Sequence, residues 1–241
     1  PDGWVRARAG CSLCSSARIP GAVAGAQPAS RAADRAAPAA GRCFGAARGC
    51  FAASASTPLA LEALEALAAL AAQIGDPQVR NQGTMGGSVA NNDPAACYPS
   101  AVMALGATIH TNQRTIKAAD FFQGMYATAL KPGELITAIA FPIPKRAAYA
   151  KFKQAASRFA LVGVFVAETG NGARVAITGA SNGVFRHSGL EAALNQSFTP
   201  EAVQNVAIDA NPLNSDLHAS AAYRANLIKV QTQRAVQQAI G

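Results

Sequence analysis

Apolar residues first take up a regular helical spacing at residue 58. Leu61, Leu64, Leu67, Leu70 and Ile74 recur three or four positions apart, with Pro58 suited to a first helical position and Gly75 to a stop. The spacing predicts one amphipathic helix. Pro99 to Leu105 reads as a second, short helix ended by Gly106, and Ala107–Thr111 and Arg114–Ile116 read as brief strands around a Thr111-Asn112-Gln113 turn. Lys131-Pro132-Gly133-Glu134 turns the chain into a buried strand, Leu135–Phe141, and Pro142 and Pro144 close that unit. Beyond it, Phe159–Glu168 and Ala173–Gly179 form two apolar runs joined by Thr169-Gly170-Asn171-Gly172, a hairpin signal. A helix is expected around Leu190–Leu194, another from Thr199-Pro200, and a last one from about Asp216 to Ile240. In the last, Tyr223, Leu227, Val230, Arg234 and Val236 give an apolar face for the hairpin. The pattern as a whole is α+β, with units at about 58–143 and 148–241.

The first 57 residues have neither period. They are rich in Ala, Arg, Gly, Ser and Pro, and are expected not to pack. A stretch read in a shifted frame, a transit peptide and a disordered tail are three open explanations. Their charge changes the reading of the whole chain. The formal +8 rests on 21 Lys and Arg against 13 acids, but seven of those arginines and only Asp2 and Asp34 lie before residue 58. Fourteen bases and eleven acids remain for the body, with no basic and aromatic interleaving, so no nucleic-acid partner is expected. Four of the five cysteines also fall in this segment, and Cys11-x-x-Cys14 lacks a well-spaced second pair or a nearby histidine. His110, His187 and His218 are scattered, so neither a metal centre nor a hydrolytic triad is expected. No run of eighteen apolar residues occurs, and no membrane-spanning helix is expected.

The candidate chemistry sits between the first two helices. Val79-Arg80-Asn81-Gln82-Gly83-Thr84-Met85-Gly86-Gly87-Ser88 holds the one Gly-Gly pair of the sequence, flanked by the Thr84 and Ser88 hydroxyls. Residues without Cβ let a backbone come close to a ligand and turn its N–H groups toward an anionic phosphate. Asn91-Asn92-Asp93-Pro94 comes next, with Asp93 as a cap and Pro94 at a first helical position. With its flanks, this stretch resembles the second flavin motif of the FAD-binding medium subunits of molybdenum hydroxylases, over roughly residues 58–241.

That resemblance implies an FAD-binding subdomain of the type found in xanthine dehydrogenase, cut short at its N-terminal side, then a C-terminal domain of antiparallel sheet with helices. It implies cofactor contacts at Thr84, Met85, Gly86, Gly87 and Ser88, at Ile74, and at Ile136 and Lys153 near the flavin ring. Each has a plain structural counterpart: a turn, a core helix residue, a buried strand residue and a solvated lysine. Cys97 stands where relatives commonly carry an Asp that contacts the adenosine end. A thiol supplies fewer acceptors than a carboxylate, so weaker nucleotide binding is expected.

The family's first flavin motif has no match in residues 1–57. The implied function is electron transfer in the cytoplasm, from iron–sulfur clusters of a small subunit through FAD to NAD or a quinone, with hydroxylation on a molybdopterin large subunit. No side chain of this chain is expected to act as a catalytic residue on the substrate. The competing reading is a remnant that docks to partner subunits without holding FAD.

Overall fold

The computed structural model describes residues 4–8 and 58–241 apart from Asp76. Strand β1, Trp4–Arg8, lies far from the rest in sequence and is followed in the described chain by helix α1, Pro58–Ala72, and helix α2, Pro77–Gln82. Helices α3, Met85–Asn91, and α4, Tyr98–Leu105, come next, then strands β2, Thr108–Thr111, and β3, Thr115–Lys117. A single helical turn α5, Ala118–Phe121, leads into the small hairpin of β4, Phe122–Gly124, and β5, Ala127–Thr128. Strands β6, Ile136–Pro142, β7, Arg146–Lys153, β8, Ala160–Thr169, β9, Gly172–Thr178, and β10, Phe185–Arg186, complete the sheets. Helix α6, Ser188–Gln196, a 3-10 turn at Glu201–Val203, and helix α7, Ala221–Ile240, end the chain.

Two antiparallel sheets carry the architecture, with strand orders β1-β6-β2-β3 and β10-β9-β8-β7. The expectation that nothing before residue 58 packs does not hold for β1, whose backbone pairs with β6 from Trp4 opposite Pro142 to Arg8 opposite Ala138. An open edge on β6 leaves a row of N–H and C=O groups, and five extended residues satisfy them whatever their position in the chain. The remainder of the 1–57 expectation lies outside the described residues.

Strand β8 explains why its run of apolar residues shows no alternation. Phe165 and Ala167 face a core shared with α1, α4 and Tyr149. Val162, Val164 and Val166 face a second core built with Leu190, Leu227, Ile228 and Val236. Covered by helices on both faces, this strand of an antiparallel sheet reads like a strand of a parallel one.

The periodic elements stand close to where the sequence places them, with α1 stopping just before Gly75 and α4 ending at Gly106 in the left-handed region, φ 64°. Three expectations fail. Asp93 does not start a helix: its Oδ1 accepts from the Ala95 N–H at 2.8 Å in a tight turn, and α4 begins five residues later. The Thr199-Pro200 signal gives only the 3-10 turn, and α7 starts at Ala221 rather than Asp216. Asp216 instead turns its carboxylate to Arg224, and Ser220 caps the helix by accepting from the Tyr223 N–H at 3.3 Å. The pattern also missed β7, which carries alternating Ala, Tyr, Lys and Phe rather than a run of strand formers. No described helix is long and apolar enough to cross a membrane.

Candidate functional site

The Gly-Gly segment is the start of a helix rather than an open loop. Thr84 is extended at φ −117° and ψ 153°, and its Oγ1 accepts from the Gly87 N–H at 3.0 Å, while its carbonyl accepts from the Ser88 N–H at 3.0 Å. A Cβ at Gly87 stands 3.0 Å from that same Oγ1, so glycine keeps the cap tight. Met85 and Gly86 are buried and Gly87 is exposed. The N–H groups of Met85 and Gly86 have no partner among the described residues, as expected for the first positions of a helix. With only seven residues in α3, their value to an anion lies in the local N–H dipoles rather than in a summed helix dipole.

The other end of α3 is fixed by Asn92, a buried residue in the left-handed region at φ 47°. Its Nδ2 donates to the carbonyls of Gly124 at 2.6 Å and Ala127 at 2.8 Å, tying the helix to the β4–β5 hairpin. The segment from Pro94 to Cys97 is held in turn by β9. Thr178 Oγ1 lies 2.6 Å from the Pro94 carbonyl oxygen and 2.7 Å from that of Ala96, and the Gly179 N–H donates to Pro94 at 2.7 Å. A pinned turn at this point places the buried Cys97 side chain opposite β7.

Three of the residues singled out from the sequence meet in one place. Ile74, Ser88 and Cys97, from three separate segments, line a cleft of about 160 Å³ together with Lys151 and Phe159. Gly75 forms part of its rim, and a Cβ there stands 2.7 Å from the Cβ of Arg158 in the β7–β8 turn; only a residue without a side chain lets the two segments close. Lys151 Nζ donates to the Gln73 carbonyl at 3.0 Å and lies 3.4 Å from Cys97 Sγ. Burial pushes the Tyr98 phenol up to about 12 and the Tyr149 phenol well above its ordinary value, and in both Cys97 adds to the shift. The Tyr149 hydroxyl lies beside Cys97 but makes no hydrogen bond of ordinary geometry among the described residues.

Ile136 and Lys153 do not join this cleft. Ile136 packs against the first core at the start of β6, and the turn before it is locked by the Glu134 carboxylate. That carboxylate accepts from Thr111 Oγ1 at 2.8 Å, Arg114 Nε at 3.0 Å and the Lys131 N–H at 2.9 Å. The Arg114 guanidinium, then the Lys131 amide, hold Glu134 down at about 2. Lys153 is exposed at the last position of β7, where β8 carries Leu161 as an extra, unpaired residue and the register shifts. Lys151, two residues earlier on the undistorted part of the strand, is the lysine that reaches the cleft; the Lys-x-Lys spacing was visible in the sequence, the register shift was not. A larger cavity, about 370 Å³, lies at the Asn92 end of α3 and contains none of the singled-out residues.

The sequence profile described as "FAD binding domain in molybdopterin dehydrogenase" matches residues 44–144, beginning ahead of the residue-58 limit read from the sequence. A second, "CO dehydrogenase flavoprotein C-terminal domain", matches residues 147–239. The carbon monoxide dehydrogenase medium chain of Hydrogenophaga pseudoflava is 32% identical over 200 residues, covering 76% of this chain and 70% of that one. The chain belongs to the FAD-binding medium subunits of the molybdenum hydroxylases. Another member, the glyceraldehyde dehydrogenase medium chain of Sulfolobus acidocaldarius, is 34% identical over 181 residues and covers 68% of this chain. The chain spans 64% of that relative's length. Among solved structures, the cyanide-inactivated Cu,Mo-CO dehydrogenase superposes with a TM-score of 0.67 at 29% identity, over 76% of this chain and 70% of that one.

Ser88 and Lys151 give the cleft a hydroxyl and an ammonium, donors that suit a dinucleotide's diphosphate, whereas Met85 and Gly86, whose amides have no partner among the described residues, do not line it. Volume limits how much of a dinucleotide these walls hold. Small-molecule sites usually enclose roughly 300–1,000 Å³. At about 160 Å³ the cleft is below that range, so a whole dinucleotide does not fit within it.

Proposed function

We propose that this chain is the FAD-carrying electron-transfer subunit of a molybdenum hydroxylase complex, with an iron–sulfur small subunit and a molybdopterin large subunit as partners. The observation that supports it best is the meeting of Ile74, Ser88 and Cys97 in one cleft, a helical turn away from the free amides of Met85 and Gly86. When bound, FAD supplies the exchange between single-electron carriers and a two-electron acceptor such as NAD or a quinone.

The chain's own residues bind and shield. Thr84, by capping Gly87, keeps the first turn of α3 in the shape that leaves the Met85 and Gly86 amides free to donate. Ser88 adds a hydroxyl from the next turn. Ile74 and Phe159 give the cleft apolar wall, against which an apolar part of the cofactor can pack. The Glu134 clamp fixes the start of β6 and with it Ile136. On this reading the subunit works in the cytoplasm.

A second reading, a docking module that retains no FAD, is favoured by the small volume of the cleft. Co-expression of the full chain with both partner subunits, addition of excess FAD and gel filtration separate the two. Flavin absorbance co-eluting with the complex supports the first, and a colourless complex replaces it with the second.

A further inference from the structure

We propose that Lys151 is the side chain that binds a phosphate of the dinucleotide, and that the thiol of Cys97 leaves its charge available to do so. The inference rests on the FAD reading above and goes beyond it, because the family resemblance pointed to Lys153 and treated Cys97 as a loss.

Lys151 is half-buried and, among the described residues, is the one lysine or arginine lining the cleft. Among the described residues its Nζ has two hydrogen-bonding neighbours, the Gln73 carbonyl oxygen at 3.0 Å and Cys97 Sγ at 3.4 Å. An ammonium carries three donors, so one remains for a ligand. None of the ion pairs among the described residues involves it. Asp93 lines the same cleft, but its Oδ1 accepts from the Ala95 N–H and it makes no ion pair with Nζ.

A cation drawn out of water with only neutral partners is costly, and an anion that enters beside it relieves that cost. Lysine serves phosphate well as a point charge. The thiol decides whether that charge is free: a sulfur is a weak acceptor and holds the ammonium in place without neutralising it. A carboxylate at position 97 stands within reach of Nζ, forms an ion pair and removes the charge that a phosphate needs.

Equilibrium titration of the full chain with FAD, with ADP and with riboflavin, by calorimetry and flavin fluorescence, tests this. Lys151→Met is expected to weaken FAD and ADP by about tenfold to a hundredfold, the fold-change for losing a charged hydrogen bond. Riboflavin, which has no phosphate, stays within about twofold on the same argument. Lys151→Arg keeps most of the affinity, and Lys117→Met, at an exposed site, changes none of the three. Cys97→Asp weakens FAD and ADP as Lys151→Met does. Circular-dichroism melts show that each variant is folded.

Several results overturn the inference while leaving the FAD reading standing. They are unchanged binding in Lys151→Met, equal loss of riboflavin, tighter binding in Cys97→Asp, and a greater loss in Lys153→Met than in Lys151→Met. If the unsubstituted chain, alone and with its partner subunits, binds neither FAD nor ADP, the FAD reading itself falls, and this inference with it.

Discussion

Replacing Arg224 by Met should weaken the hold of α7 on the sheet it covers. Arg224 is buried at 3% exposure on the face of α7 that otherwise carries Leu227, Ile228 and Val236. Its Nη1 donates to the carbonyls of Leu161 and Gly179, both at 2.8 Å, and Nη2 donates to Asp216 Oδ2 at 2.6 Å. Methionine fills much of the same volume but donates nothing. Two carbonyls at strand ends are then left without this donor, at about 1–3 kcal/mol each. Asp216 is different: its side chain is 45% exposed and rehydrates, so the ion pair adds little. Nε of Arg224 is partnerless already, and its removal returns part of the loss. The net cost is about 3 kcal/mol. For a chain of this size that is roughly 6–12 °C in melting temperature.

Calorimetry or urea unfolding measures it, and Asp216→Asn in a double-mutant cycle separates the ion pair from the carbonyls. Asp216→Asn alone should cost about 0.5–1 kcal/mol. Lys at 224 should recover only part of the loss, because a point charge cannot serve three acceptors in the arrangement of a planar fork. A Met variant within about 1 kcal/mol of the original chain refutes the argument, since the unsatisfied carbonyls alone demand more. So does an Asp216→Asn cost equal to that of Arg224→Met, which makes the carboxylate the anchor.

Other substitutions probe the site and its supports. Gly163→Ala brings a Cβ against the Tyr149 hydroxyl and within 2.9 Å of Thr178 Cγ2, and should cost about 1–3 kcal/mol by overpacking. Tyr149→Phe removes a buried hydroxyl that makes no hydrogen bond of ordinary geometry, so it should lose little stability alone and should rescue part of Gly163→Ala; additive losses in urea unfolding speak against the close approach. Glu134 titrates near 2 in the folded chain against about 4.5 when free, because of Arg114 and the Lys131 amide. Its contribution is therefore full above about pH 4.5 and is lost as pH falls toward 2. Glu134→Gln should flatten that limb of a pH series of urea midpoints, and an unaltered slope refutes the assignment. Thr84→Ala removes the cap of α3 at about 1 kcal/mol and should also weaken FAD, whereas unchanged melting and unchanged titration together show that the cap is idle.

Local chemistry made much of this protein legible in its sequence. Periodic leucines set α1, the glycine at 106 ended α4, and the Thr169–Gly172 turn fixed the β8–β9 hairpin, because each of these comes from a residue's own backbone preference or from a face that must be buried. The flanks of the Gly-Gly pair likewise carried the family, and Ile74, Ser88 and Cys97 stood out individually although nothing in the sequence showed that they meet. What the tertiary structure alone decided depends on contacts between distant segments. Strand β1 exists because the edge of β6 offers it hydrogen bonds, and the turn at Asp93 stays a turn because β9 grips Pro94 and Ala96. Lys151 rather than Lys153 enters the cleft because Lys151 lies inside β7, opposite Cys97, while Lys153 is the strand's exposed last residue. A chain of letters records which groups are present and their local habits; pairing register and packing, which decide where a charge ends up, are properties of pairs of segments that no single segment encodes.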